Sequence, residues 1–182
     1  NVISKFSAEE VYTQLTQWAE EFDPQFAKNL TADPDFTKAI LAIGRGGKKP
    51  RKDIAVWKDA KDYMGFFYDK FFTVEDEYPE TFSNEDIIAT LEAFLETYDE
   101  NDDMNTWFDK VKAIADKLGF SSDMKAYKQN PEAFKGSVAD TSMFIRVAVT
   151  GKQNAPDLYT VMQVIGKEKT AERINKIIAS LK

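Results

Sequence analysis

Neither cysteine nor histidine occurs among the 182 residues. The first absence excludes disulfides, thiolate nucleophiles and cysteine zinc sites. The second removes imidazole triads, the usual physiological general base and the commonest metal ligand. Most hydrolase and metalloenzyme mechanisms therefore lack their reagents. No run of about 18 uncharged apolar residues is available to span a membrane, and no basic-then-apolar leader opens the chain. The lack of cysteine fits a reducing compartment, and a cytoplasmic protein is expected. Asn1 rather than Met opens the chain, which suggests a fragment or a processed product. What is present is a globular composition, 43% apolar, 13% aromatic and 30% charged, enough to bury a core in one domain or two small ones.

Charge is unevenly spread. Residues 71–109 contain no basic side chain and thirteen acidic ones, whereas residues 43–70 carry eight basic against four acidic and residues 110–182 thirteen against seven. The overall charge of −7 argues against a polyanionic partner, but local field rather than net charge steers a ligand. The densest basic element is the segment from Gly44 to Lys52, with Arg45, Lys48, Lys49, Arg51 and Lys52. Three glycines and Pro50 make it a loop, and mobile cations of this kind can follow a phosphate chain. It is not a phosphate-cradling P-loop, because Ala42 stands where the first glycine belongs and Lys49 follows Gly47-Lys48. The alternation Asp99, Asn101, Asp103, Asn105 imitates the start of a calcium loop, but Met104 and Lys110 occupy the positions that need Gly and Glu. Asp102 and Asp103 are better read as capping and charge-stabilising the next helix.

Apolar spacing is helical almost throughout. Ser7 and Glu10 form a capping box ahead of a helix over 7–22, with Val11, Leu15, Trp18 and Phe22 on one face, broken at Asp23-Pro24. A short helix follows Pro34 to Gly44, and a long aromatic-rich one is expected over 53–72 as a buried seam. Further helices are expected from Ser83 or Asn84, over 103–118 with Gly119 as its stop, and from Ser137 to Gly151. Another begins with Pro156 at N1 and ends at Gly166, and the last runs from about Lys167 to Leu181. The stretch from Phe144 to Val149 is the one place where β-branched crowding could suggest a strand, but its flanking caps favour helix. The expected fold is all-α, two consecutive helical bundles without a sheet: residues 1–98 with the basic loop 44–52, and residues 99–182 with the Arg146/Pro156 turn.

The segment that carries an identity runs from Phe144-Ile-Arg-Val-Ala-Val-Thr-Gly151 through Lys-Gln-Asn-Ala-Pro-Asp-Leu158 to Val161-Met-Gln-Val-Ile-Gly-Lys-Glu168, with Arg173 beyond. A helix start at Ala155-Pro156 would offer backbone N–H groups suited to a base edge or a phosphate. This order resembles the C-terminal anticodon-binding region of class I glutamyl-tRNA synthetases. That family shows an Arg, a small apolar run, Thr-Gly, a spacer, Pro, Leu, then Leu-Gly-Lys-Glu and an Arg. Pro50-Arg-Lys-Asp-Ile54, Trp107-Phe108 and Gly136-Ser-Val-Ala-Asp140 extend the likeness upstream.

The resemblance implies a tRNA partner, the anticodon arm of tRNA-Glu, rather than DNA or a membrane, bound by a monomer. It implies that Arg146 contacts an anticodon nucleotide, that Gly151 makes the turn, and that Pro156 and Leu158 line a base pocket. Ala155 stands where the family often has Thr, so only its backbone could serve. Arg51 is the candidate for the upstream arginine that inspects the last anticodon base. Lys48, Lys49, Lys52, Lys152 and Lys169 are candidate phosphate contacts, with the acidic 71–109 stretch facing away from RNA. The family's ATP-binding His signature, its Lys-Ser loop and its parallel sheet are missing here. The resemblance therefore implies a chain without cofactor that cannot activate glutamate alone, ATP and magnesium belonging to the parent enzyme's catalytic half. Two other readings stand beside it: the similar region of class I lysyl-tRNA synthetase, and an acidic helical module that binds basic proteins.

Overall fold

The computed structural model describes residues 1–182. Ten α-helices and four short 3-10 turns make up the regular structure, and the only β-type pairing is an isolated bridge between Ser121 and Ser137. The chain is all-α. It divides into two compact units, Asn1–Thr73 and Val74–Lys182. The division falls before the helix over 84–97 rather than at the expected 98/99, because that helix packs on helices C-terminal to it.

In the first unit, α1 (Ala8–Phe22) begins at the Ser7–Glu10 capping box, with both reciprocal bonds formed. Its buried face is Val11, Leu15 and Ala19, while Phe22 is exposed. Two Asp-Pro pairs then start α2 (Pro24–Ala32) and α3 (Pro34–Ala42). In each the Asp carboxylate accepts the backbone N–H three residues on, Phe26 from Asp23 and Phe36 from Asp33. Asp23-Pro24 thus ends one helix and also nucleates the next, which periodicity alone did not reveal.

The expected long helix over 53–72 is instead a loop, a 3-10 turn at Trp57–Asp59, the short α4 (Ala60–Met64) and a second 3-10 turn at Gly65–Phe67. The Asp59 carboxylate accepts the N–H groups of Ala55 and Val56 and so holds the chain non-helical until Trp57. The aromatic seam is nevertheless core, with Met64, Phe66, Phe67 and Tyr68 buried.

Tyr68 shows why. Its ring meets Phe36 edge-on at 5.6 Å, and its hydroxyl lies 2.6 Å from Thr37 Oγ1, which itself donates to the Leu30 carbonyl. Tyr68 therefore donates. Burial pushes its ionisation up from 10 to about 12. A group whose pKa is raised by folding stabilises the protein fully below its unfolded value and loses that contribution as pH climbs through the folded one. Stability should therefore fall by on the order of 2 kcal/mol between pH 10 and about 12. Urea titrations across that range check it: Tyr68→Phe, which keeps the other buried tyrosines, should lose less stability than wild type, and equal losses in the two would refute it.

The second unit is built on α8 (Val138–Thr150), which is buried over most of its surface. Around it pack α5 (Asn84–Thr97), α6 (Met104–Lys117) and α10 (Lys167–Leu181), with α9 (Leu158–Ile165) against α10. Gly119, at φ 90°, closes the end of α6 as expected. The small α7 (Met124–Gln129) follows, capped by Asp123. Phe144 is the centre, fully buried with Tyr78, Phe82 and Phe120 rings set edge-on to it at 5.0–5.9 Å. No helix is long and apolar enough to cross a membrane.

Candidate nucleic-acid interface

Local sequence fixes the turn between α8 and α9. Ser137 and Asp140 close a capping box at the start of α8. At its end Gly151 takes the left-handed conformation, φ 77°, with its N–H on the Val147 carbonyl. A β-carbon is disfavoured at that φ, which is why glycine stands there. Residues 152–157 then run without helix to Asp157. The Asp157 carboxylate accepts both the N–H and the hydroxyl of Thr160, at 2.9 and 2.7 Å.

α9 therefore begins at Leu158 with Asp157 as its N-cap, and Pro156 lies before the cap rather than at N1. With Pro156 at N1 the cap would be Ala155, which has no side-chain acceptor; the aspartate wins. One expectation falls with it: the helix start presents a carboxylate rather than open N–H groups. Pro156 and Leu158 are both buried, Leu158 to 2% exposure. Ala155 is half-buried between them and the solvent-exposed Asn154.

Arg146 is different. It sits half-buried on α8, five residues before Gly151, and its guanidinium has neither a hydrogen-bond acceptor nor an ion-pair partner. Its backbone carbonyl, within α8, also accepts the Thr150 hydroxyl at 2.8 Å. Burial lowers its pKa, and attraction to Asp157 partly opposes that shift. At any ordinary pH it remains a cation, partly desolvated and unneutralised. Such a group gains most from an incoming anion or base carbonyl.

The other cations divide sharply. Arg173, on α10, is 4% exposed and donates to the Val149 carbonyl at 2.7 Å, so it serves the end of α8 rather than a ligand. Lys152 lies 3.5 Å from Glu75, and Lys169 is half-buried. In the first unit, Arg45 donates to the carbonyls of Leu41, Ile3 and Phe6 and so ties the loop to the amino-terminal segment. Arg51 makes a bidentate pair with Asp53 at 2.7 and 2.9 Å. Lys48, Lys49 and Lys52 are exposed, and their ammonium groups have no carboxylate partner. Of the five loop cations, three are available to phosphate.

The acidic stretch also packs on the α8–α9 turn and on α9. Glu75 and Asp76 donate their N–H groups to the Gly151 carbonyl, at 2.9 and 3.0 Å. Farther along, the Asp102 and Glu100 carbonyls accept from Tyr159 and Gln163 of α9. In the mock calcium loop, Asp99 is spent on the N–H and amide of Asn101, and Asp103 caps α6 at Thr106.

A family model described as "Anticodon binding domain" matches residues 10–178. The chain belongs to that family. It is 39% identical over 178 residues to the glutamate–tRNA ligase of Acetivibrio thermocellus, covering 98% of this chain and 33% of that protein. It is 41% identical to the Sorangium cellulosum glutamate–tRNA ligase over 97% of this chain and 31% of that protein. With the Clostridium perfringens ligase it shares 38% over 98% and 33%. The matches lie in the C-terminal regions of those proteins, and the chain spans about a third of their length.

Proposed function

We propose that this chain binds the anticodon arm of tRNA-Glu, as a monomer, on behalf of a cytoplasmic glutamate–tRNA ligase. Arg146 contacts an unpaired base or its phosphate, and Lys48, Lys49 and Lys52 hold the backbone. The observation that carries the reading is the Arg146 guanidinium, partly desolvated and without a hydrogen-bond acceptor, in a chain that is similar to glutamate–tRNA ligases along nearly its whole length. Arg51 and Lys152 could join only by exchanging Asp53 and Glu75 for phosphate oxygens. Binding of this kind needs no cofactor from the chain; ATP and magnesium would serve the catalytic part of such a ligase.

Fluorescence anisotropy with a labelled tRNA-Glu transcript tests this. Arg146→Ala should weaken binding by about 1–3 kcal/mol, and Lys48→Ala by less while making the salt dependence shallower by about one unit of log–log slope. tRNA-Lys should bind more weakly than tRNA-Glu. Unchanged tRNA affinity in both variants, or indifference to tRNA alongside salt-sensitive capture of a basic protein, would refute the reading.

A further inference from the structure

The segment just after the boundary between the units grips the α8–α9 turn at several points. Besides the two N–H groups on the Gly151 carbonyl, the Asp76 carboxylate accepts the Gln153 N–H at 2.6 Å. The Gln153 side chain reaches the Glu77 carbonyl at 3.4 Å. Tyr78 then donates to the Phe144 carbonyl at 2.7 Å and sets its ring against Phe144. Residues 75–78 contain no helix of their own, so the segment has its form from what it holds.

Its two grips lie on either side of Arg146: one on the body of α8 at Phe144, the other on the turn at Gly151 and Gln153. Gly151 has its amide satisfied by α8, but residues 152–157 have little regular structure to hold them. A carboxylate on a backbone N–H is among the stronger hydrogen bonds available to a loop. It fixes where the turn stands relative to the guanidinium.

We infer that Asp76 is a positioning residue for anticodon reading, holding the Gly151–Gln153 turn in register with Arg146 through the Gln153 N–H without touching RNA itself. The inference rests on the proposed tRNA function. Its physical content is the hydrogen bond rather than the charge, since an Asp76 side-chain oxygen accepts the Gln153 N–H and a neutral amide oxygen in the same place could accept it too.

Two variants separate these. Asp76→Asn keeps an acceptor oxygen and removes the charge, whereas Asp76→Ala removes both. The probes are the tRNA-Glu anticodon stem-loop and the same stem-loop with its anticodon replaced. Asp76→Ala should lose about 10-fold in affinity for the first and little for the second, so that discrimination falls. Asp76→Asn should stay near wild type in both. In the free protein, hydrogen exchange at the Gln153 amide should speed up in Asp76→Ala and not in Asp76→Asn.

Unchanged discrimination in a folded Asp76→Ala, or an Asp76→Asn that loses discrimination as Asp76→Ala does, overturns the inference. If wild type discriminates and Arg146→Ala loses that ability while Asp76→Ala keeps it, the inference alone fails. If wild type does not distinguish the stem-loops, the proposed function fails and takes the inference with it.

Discussion

Phe144→Ala should destabilise the Val74–Lys182 unit by about 3–5 kcal/mol, the range for a fully buried aromatic truncated in a core that cannot collapse around the gap. Collapse is prevented here because Tyr78 and Phe82, from the segment before α5, and Phe120, just after α6, each meet the ring edge-on. None can fill the space without leaving its other neighbours. Native-state hydrogen exchange on the α8 amides isolates this unit from the rest of the chain, and protection there should drop by roughly 10²–10⁴-fold. A fall of less than about 10-fold would mean the ring is not the keystone its packing indicates. Because Tyr78 also bonds the Phe144 carbonyl, the 75–78 segment should loosen together with α8.

Arg173→Met should cost the same unit about 3 kcal/mol, through a different cause. The Val149 carbonyl belongs to the last turn of α8, where carbonyls have no helical partner and the helix dipole is negative. The buried Arg173 guanidinium supplies both a donor and a positive charge at 2.7 Å. Methionine fills much of the volume but leaves the carbonyl buried without its donor. Exchange at the Gly151 and Lys152 amides should rise more than at the start of α8, and tRNA affinity should fall although Arg173 touches no ligand. Equal loss along all of α8 would mean the side chain acts by packing alone.

Arg146 and Arg173 belong to one motif and differ in everything that matters. Periodicity already separates them in part: Arg173 lies at the spacing of Thr170, Ile174 and Ile178, the buried face of α10. Reading that face would have assigned it to the interior. Nothing comparable in the sequence marks Arg45 or Arg51 as occupied. Arg45 finds its carbonyls 39 and 42 residues away as well as nearby, and Asp53 could have capped a helix instead. Asp157 was legible, being followed three residues later by Thr160, but the pull of Pro at N1 hid it. The second use of Asp23-Pro24 was legible too, as a repeat of Asp33-Pro34 with Phe two residues on.

Sequence alone determined the all-α class, most helix starts through Ser and Asp caps, helix ends at Gly119, Gly151 and Gly166, and the kinship with anticodon-binding domains. These are short-range matters: a cap bonds three residues on, and a positive φ is a property of one residue. Tertiary structure decided where the units divide, that the aromatic segment after Pro50 is broken, and above all which cations are left free. Whether a guanidinium is spent depends on carbonyls and carboxylates brought to it from distant parts of the chain, as the Ile3 and Phe6 carbonyls are brought to Arg45. Such pairings follow from packing, and one-dimensional patterns do not encode them.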